Sequence, residues 1–190
     1  YGDSPYQSFS AFAGNPYFID YRLLEAAGYL TADEVPAARP VAPVDYGALY
    51  AERPVVLKKA ADRLLAAPCP AYEAFCAAQD FWLEDYALFM AVKAAQGQKG
   101  LADWPDALRC RQPEAMVQAR AELSDAVAYH KAVQFFFYSQ WSELKAYANS
   151  KGIQLVGDIP IYVSPDSSDL WTHPDLFQTD GSMHLTQVAG

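Results

Sequence analysis

The spacing of apolar residues predicts that most of the chain before residue 150 is helical. In several segments, separated by glycine and proline, apolar side chains recur three and four residues apart, which is the periodicity of one helix face. Pro54 falls inside one of these segments, where we expect it to kink or restart the helix. The predicted helices cover 19–27, 45–67, 71–78, 81–96 and 113–150, the last with a break near Ser124.

Local signals mark where these helices begin and end. Gly28 follows the first helical pattern and is typical of a helix C-terminus, and Asp45 is suited to cap the second helix. Residues 31–34 have the capping-box sequence Thr-Ala-Asp-Glu, but Pro36 limits the helix that follows to about one turn. Pro113 is well placed in the first turn of the last helical segment.

One short segment has the pattern of a β-strand. An apolar run at 153–156, with Ile, Leu and Val, follows Gly152 and predicts a strand buried on both faces. A helical pattern at 126–149 precedes it, so the two form half of an α/β repeat. Asp158 follows the run, at the strand end where such folds place their active sites. One strand cannot form a sheet, so its partners either lie outside this chain or have too weak a pattern to be seen.

The composition is typical of a globular protein with a neutral ligand. Hydrophobic residues make up 52%, and the net charge of −9 disfavours nucleic acid as a partner, because an acidic surface repels phosphate. The 13 tyrosines suit contacts to polyhydroxylated ligands, although most of these rings are expected in the core. The sequence shows no membrane span and no signal peptide. It begins with Tyr1, which indicates processing or a piece of a longer protein.

The cysteines and histidines do not form a metal-binding pattern. Three cysteines, at 69, 76 and 110, include no Cys-x-x-Cys pair, which argues against a disulfide framework and against a zinc site. The three histidines, at 130, 173 and 184, have no metal-ligand spacing. We therefore expect no bound metal and a reducing, cytoplasmic compartment.

Five sequence blocks, in order along the whole chain, resemble one family. The block at 2–16 has the sequence GDSPYQSFSAFAGNP, and the block at 157–163 has GDIPIYV. The other blocks are WLEDYALF at 82–89, QW at 140–141 and DSSDLWTHPDLF at 166–177. Together they resemble the 4-α-glucanotransferases, also called amylomaltases or disproportionating enzymes, which belong with the α-amylase-like glycoside hydrolases.

The resemblance implies an α/β fold: a partial (β/α)₈ TIM barrel with a large helical insertion, of which this chain is a helix-rich fragment. It implies a barrel-top loop and first helix at 1–30, a helical insertion at 31–125, and a barrel helix, buried strand and following loop at 126–190. The implied activity is transfer of an α-1,4-glucan segment from a donor maltodextrin to the 4-hydroxyl of an acceptor. Maltooligosaccharides are then the partners, and no cofactor is implied.

The mechanism implied by the resemblance is a retaining double displacement. A carboxylate nucleophile forms a glycosyl-enzyme intermediate while a second carboxylic acid protonates the leaving oxygen. In the family these residues lie in Arg-x-Asp-His and Ala-Glu-Asp-Leu-Gly segments, and neither is present here. Glu84 and Asp85 are mid-helix and far upstream of the expected acid. We therefore expect the catalytic pair beyond Gly190 and no activity from the 190 residues alone.

The resemblance also implies a set of glucan-binding residues. Asp158 matches an acidic residue that holds the sugar beside the scissile bond, because a carboxylate accepts charge-assisted hydrogen bonds from hydroxyls; the alternative is a strand-end aspartate that caps a loop. Ser4 and Tyr6 are expected to line the glucan groove, unless they only pack their loop. Tyr1 is a candidate for a second glucan contact or a frayed terminus, and His173 is a candidate sugar contact or an ordinary loop histidine.

Other segments are expected to be structural. The aromatic run at 135–138, the helix at 82–89 and Trp171 predict packing. In the last block, Asp166 and Ser167 either belong to a functional loop, as loops at strand C-termini do in barrels, or cap the next turn. The basic residues of the second helix predict a solvated face and no more: Lys58, Lys59 and Arg63.

Two other functions remain open from the sequence. The first is a self-standing, non-catalytic maltooligosaccharide-binding module, which would bind glucan without further chain. The second is a helical interaction protein whose strand pairs with a partner, which would have no affinity for sugar.

Overall fold

The structure, a computed structural model, describes residues 8–37, 43–157 and 163–186, which are predominantly helical. The α-helices are α1 (Tyr21–Ala26), α2 (Tyr46–Leu65), α3 (Pro70–Ala78), α4 (Asp80–Ala95), α5 (Asp106–Arg109), α6 (Pro113–Glu122), α7 (Ser124–Ser150) and α8 (Ser168–Thr172). Single turns of 3₁₀ helix lie at Pro16–Phe18, Ala32–Glu34, Leu101–Asp103 and Pro174–Leu176. Within the described ranges, no helix is long and apolar enough to cross a membrane.

Side chains cap several helix ends, among them the predicted caps at Asp45 and at Thr31–Glu34, and Gly28 follows α1 as predicted. The Asp20 carboxylate accepts a hydrogen bond from a backbone amide of α1 at 2.8 Å, and Gly28 follows this helix with a φ of 80°. Asp45 accepts from an amide in the first turn of α2 at 2.9 Å. The Glu34 carboxylate accepts from the Thr31 amide at 3.0 Å, as the capping-box pattern predicts. Such bonds satisfy backbone groups that a helix end leaves without a partner.

The predicted break in the last helical segment is confirmed. Helix α6 ends at Glu122 and α7 begins at Ser124. Pro113 occupies the first turn of α6, as expected for a residue with a fixed φ and no amide hydrogen. Helix α2 continues through Pro54 without a restart.

The chain forms two compact units. The first comprises Tyr1–Ala13, Gln79–Lys131 and Gly157–Gly190, and the second comprises Gly14–Ala78 and Ala132–Val156. Helix α7 therefore supplies residues to both units. The three sequential parts implied by the resemblance stay a prediction.

The core of the first unit is built on the buried face of α4. Phe89 is fully buried, and its ring centroid lies 5.2 Å from that of Trp104 and 5.8 Å from that of Trp171. The two indole rings meet edge to face at 5.7 Å, a favourable arrangement for aromatic pairs. Trp82 and Tyr86 are also buried. The packing roles predicted for the helix at 82–89 and for Trp171 are therefore confirmed.

The core of the second unit includes the aromatic run on α7. Phe136 is buried, and its ring lies 5.2 Å from that of Tyr29. A Cβ atom at Gly14 would lie 2.0 Å from the Phe137 ring, so this close approach requires glycine. The packing role predicted for residues 135–138 is confirmed.

The strand predicted at 153–156 is not formed, since the described residues contain no strand. Among them, β pairing is limited to an isolated bridge between Thr179 and Leu185. The side chains of Ile153, Leu155 and Val156 are 56%, 43% and 92% exposed. A strand buried on both faces needs neighbouring strands and covering layers, and the described residues provide neither. The prediction of a buried strand within this chain is wrong.

The basic face of α2 does more than the sequence predicts. Arg63 donates hydrogen bonds to the Glu34 carboxylate at 2.6 and 3.1 Å and to the Tyr29 carbonyl at 2.9 Å. Lys59 Nζ lies 3.6 Å from the same carboxylate. Arg63 therefore holds the turn before Val35 against α2. The prediction of a merely solvated face is wrong for this residue, because its partners are distant in sequence.

Candidate functional site

The predicted glucan contacts are only partly within the structure. His173 is described, is exposed and directly follows α8. The other four predicted contacts lie outside the described residues: Tyr1, Ser4, Tyr6 and Asp158. The described segments next to them in sequence are 8–13 and 163–173, and both belong to the first unit.

A buried ion pair anchors the loop at 163–173. Asp166 Oδ2 lies 2.5 Å from Nζ of Lys93 on α4, and the two side chains are only 13% and 4% exposed. The other carboxylate oxygen accepts from the Leu101 amide at 3.0 Å, and the ammonium also donates to the Lys99 carbonyl at 3.0 Å. Buried charges are costly unless they are paired and hydrogen-bonded, and both conditions are met here. The loop is thereby fixed to α4.

The same loop is bonded to the opening segment of the chain. The amide and hydroxyl of Ser168 both donate to the Phe9 carbonyl, at 2.8 and 3.0 Å. Asp169 Oδ2 accepts from the Ala11 amide at 2.7 Å, and Oδ1 accepts from the Ser10 hydroxyl at 3.5 Å. These contacts join residues 158 or 159 positions apart. We call the set Phe9, Ser10, Ala11, Ser168 and Asp169 the loop clamp.

Burial changes the acidity of the carboxyl group in the loop clamp. Desolvation raises the pKa of Asp169, while the hydrogen bonds from Ala11 and Ser10 and the nearby His173 lower it in part. Desolvation is the larger effect. The carboxylate is therefore held in a partly buried position by the hydrogen bonds that it accepts.

A shallow pocket lies beside the loop clamp. Phe12 packs edge to face on Phe81, with ring centroids 5.2 Å apart, and forms an aromatic wall. Asp85 is bonded to Arg111 at 2.7 Å, and Asp169 is held by the loop clamp, so both lining carboxylates already have protein partners. The pocket is a small surface depression with a volume of about 30 Å³. It is lined by Phe12, Phe81, Trp82, Asp85, Ser168, Asp169, Thr172 and His173.

Sequence reasoning missed most of the contacts that fasten this loop. Ser167 does cap α8, accepting from the Leu170 amide at 3.2 Å, as predicted. Asp166 does not act as a cap to the next turn but pairs with Lys93, 73 residues away. The one local signal is the dense run of small and polar residues at 164–169, which is typical of an ordered loop.

The remaining titratable residues do not converge on a second site. In the described part of the chain, no group of three or more His, Cys, Asp or Glu residues could hold a metal ion. The three cysteines are free thiols. His184 Nδ1 lies 3.7 Å from Asp180, and the His130 ring packs on Tyr129 at 5.0 Å.

Comparison with known proteins identifies one family along the chain. The family model described as 4-alpha-glucanotransferase matches residues 1–188. The 4-alpha-glucanotransferase of Thermus thermophilus is 45% identical over 100% of this chain, which covers 38% of that protein. That of Streptococcus pneumoniae serotype 4 is 44% identical over 100% of the chain, which covers 39% of it.

A solved structure shows the same similarity in three dimensions. The amylomaltase from Streptococcus agalactiae, in complex with acarbose, matches with a TM-score of 0.90 and 43% identity. The match covers 96% of this chain and 38% of that one. This chain therefore spans less than two fifths of the length of these relatives. Because the family match extends over nearly all its residues, the chain belongs to the 4-α-glucanotransferase family.

Proposed function

We propose that this chain is the part of a 4-α-glucanotransferase that contributes to the glucan-binding groove. The whole enzyme would transfer α-1,4-glucan segments between maltodextrins. One observation carries the proposal: the family match covers residues 1–188, while the chain spans only 38–39% of its relatives. A region of this extent can bind substrate without holding every group that the reaction needs.

The chemistry we propose for the whole enzyme is a retaining double displacement. A carboxylate would attack the anomeric carbon, and a carboxylic acid would protonate the leaving glycosidic oxygen. The acceptor hydroxyl would then replace the enzyme carboxylate, and exclusion of water would favour transfer over hydrolysis. The absence of the family's Arg-x-Asp-His and Ala-Glu-Asp-Leu-Gly segments from this sequence supports a catalytic pair outside these 190 residues.

A partial (β/α)₈ barrel with a helical insertion at 31–125 is the fold that we propose for the chain within the enzyme. The end of α7 exposes 40% of Trp141, 55% of Leu144 and 63% of Tyr147. These residues recur every third position and therefore lie on adjoining parts of the helix surface. The exposed apolar segment at 153–156 follows them. Exposed apolar side chains grouped on one helix are typical of a face that another element covers, and barrel strands would cover this one.

The glucan contacts that we propose are the five implied by the resemblance. Asp158 would accept hydrogen bonds from hydroxyls of the sugar next to the scissile bond. Ser4 and Tyr6 would line the groove, Tyr6 by stacking on a sugar face, and Tyr1 would make a second contact. His173 is exposed beside the pocket described above, which supports its assignment as a peripheral sugar contact.

The setting that we propose is the cytoplasm, with maltooligosaccharides as partners and no cofactor. The free thiols at 69, 76 and 110 favour a reducing compartment. The net charge of −9 favours a neutral glucan over a polyanion such as nucleic acid.

Maltotriose disproportionation tests the proposal with two proteins. The first is the 190-residue chain, and the second is a full-length chimera in which this chain replaces the aligned segment of the Thermus thermophilus relative. We expect glucose and longer maltodextrins from the chimera and no products from the chain alone. Products from the chain alone would overturn the placement of the catalytic pair. A folded chimera without transfer activity, beside an active relative, would overturn the proposed function.

Calorimetry with maltoheptaose separates the proposal from a self-standing binding module. A module would bind the ligand as the 190-residue chain with the same affinity as within the chimera. We expect weaker binding by the chain alone, because a groove shared with further chain loses part of its contacts. Equal affinities in the two proteins would favour the module.

A further inference from the structure

We infer that Ser168 and Asp169 are positioning residues for glucan binding. They hold the opening loop against the loop at 163–173, so that side chains from both loops can contact one glucan. This inference rests on the proposed function, because a fixed distance between the two loops matters for binding only if both loops contact the same glucan. The residues themselves need not touch the sugar.

The loop clamp is partly shielded from water. Ser10 is 2% and Ser168 is 3% exposed, Asp169 is partly buried and Ala11 is exposed. The hydrogen bonds of the two buried serines are electrostatically stronger than those at the surface, and a buried donor or acceptor that loses its partner is costly. Four hydrogen bonds therefore fix the backbone at 9–11 relative to that at 168–169.

Both loops are also attached to the same side chain of α4. The Phe9 ring lies 6.4 Å from the Phe89 ring, and Nζ of Lys93 lies 5.2 Å from the Phe9 ring centroid. That ammonium is the partner of Asp166. The opening loop and the loop at 163–173 thus meet on one rigid helix as well as through the loop clamp.

The loop clamp is close in sequence to the proposed glucan contacts. Tyr6 precedes Phe9 by three residues, and Asp158 precedes Asp166 by eight. Among the described residues, both clamped loops reach the same pocket, because Phe12 of the opening loop and His173 at the end of the loop at 163–173 both line it. Loss of the loop clamp should therefore weaken the binding of a glucan that contacts both loops. Weaker binding would be measured as a higher Michaelis constant.

Asp169 gives the sharper test because its two oxygens have different partners. Asp169→Ala removes the acceptors of both the Ala11 amide and the Ser10 hydroxyl. Asp169→Asn keeps one carbonyl oxygen, which can still accept from the Ala11 amide, the shorter of the two contacts. Ser168→Ala removes one hydroxyl and leaves the amide bond to Phe9, so it perturbs folding least.

The experiment measures KM and kcat for maltotriose, with the urea unfolding midpoint, in the full-length chimera and its variants. We expect Asp169→Ala to raise KM about tenfold, Ser168→Ala about threefold, and Asp169→Asn less than Asp169→Ala, since a lost hydrogen bond weakens binding by about such factors. The matched control is Asp175→Ala, which changes an exposed aspartate of the same region and should leave KM unchanged.

Each outcome decides for or against the inference. A raised KM that Asp169→Asn partly restores supports positioning. A lower unfolding midpoint with an unchanged KM, in Asp169→Ala and in Ser168→Ala, shows a purely structural clamp and overturns it. If Asp169→Ala does not fold, the KM of Ser168→Ala decides the question alone. An inactive wild-type chimera overturns the proposed function and the inference with it, whereas an active one with unchanged KM values overturns the inference alone.

Discussion

Each of the two compact units contains a lysine–aspartate pair, and the two pairs differ in burial. In the first unit, Lys93 and Asp166 pair with side chains that are 4% and 13% exposed. In the second unit, Lys58 and Asp62 pair with side chains that are 53% and 58% exposed. Water screens the exposed pair, whereas a buried charge becomes costly once its partner is lost. Loss of one partner should therefore be costly for the Lys93–Asp166 pair of the first unit and nearly neutral for the Lys58–Asp62 pair of the second.

Replacing Lys93 by methionine should give the largest effect on this comparison. Methionine has a similar length but no charge, so Lys93→Met leaves Asp166 buried without its counter-ion. We expect the free energy of unfolding of the chain to fall by about 3–5 kcal/mol, measured by urea denaturation.

Two further variants sharpen the result for Lys93. Lys58→Met is the matched control in the second unit and should change the free energy of unfolding by less than about 0.5 kcal/mol. The double variant Lys93→Met with Asp166→Leu removes both buried charges and should recover most of the loss. Similar small losses for Lys93→Met and Lys58→Met would break the comparison.

Two glutamines on α7 allow burial to be varied within a single unit. Gln134 is fully buried and bonds the amide and carbonyl of Gly14 at 2.8 and 3.1 Å. Gln140 makes the same two bonds with Asp20 at 2.8 and 3.0 Å in a more exposed position. We expect Gln134→Ala to lower the free energy of unfolding by about 2–3 kcal/mol and Gln140→Ala by about 0.5–1 kcal/mol. Equal losses of unfolding free energy for the two variants, measured by urea denaturation, would mean that burial does not determine how much each glutamine stabilises the fold.

The pH range in which stability changes should also differ between the two units. In the first unit, burial lowers the pKa of His130 to about 4, from about 6.5 in an unfolded chain. The neutral His130 side chain therefore contributes its full stabilisation of the folded state above about pH 6.5. This stabilisation is lost as the pH falls towards about 4, which lowers the free energy of unfolding by about 1–3 kcal/mol. His130→Gln should flatten this part of a stability curve. An unchanged slope between about pH 7 and about pH 4.5 would contradict the prediction.

In the second unit, Glu34 should make stability depend on pH in a more acidic range, and this effect should be the smallest of those predicted. Hydrogen bonds from Arg63 and Thr31 hold the pKa of Glu34 at about 2, below the value of about 4.3 in an unfolded chain. Its contribution is present above about pH 4.3 and is lost as the pH falls through about 2. Solvent screening limits its size. Glu34→Gln should remove the pH dependence of the free energy of unfolding only in this acidic range. A change in stability confined to neutral pH would contradict the role given to Glu34.

The helices could be predicted because their signals are local. The break at Ser124, the cap at Asp45 and the stop at Gly28 each depend on residues within one turn. The packing role of the aromatic run at 135–138 could also be predicted locally, because a helix segment with aromatic side chains on several sides is typically covered by other elements.

The remaining features could not be predicted because they depend on partners far along the chain. The strand at 153–156 needs neighbours that no local pattern supplies. Arg63 finds Glu34 across 29 residues, and Asp169 finds Ala11 across 158. Of the candidate site, the sequence pointed to two loops, whose role in glucan binding stays a prediction, and it did not reveal the contacts that join them.

The most direct test of the account is a crystal structure of the full-length chimera with maltoheptaose. The account predicts that the Asp158 carboxylate lies within hydrogen-bond distance of a sugar hydroxyl and that Tyr6 lies against the same glucan. An Asp158 side chain bonded only to main-chain amides, with the glucan bound elsewhere, would contradict it.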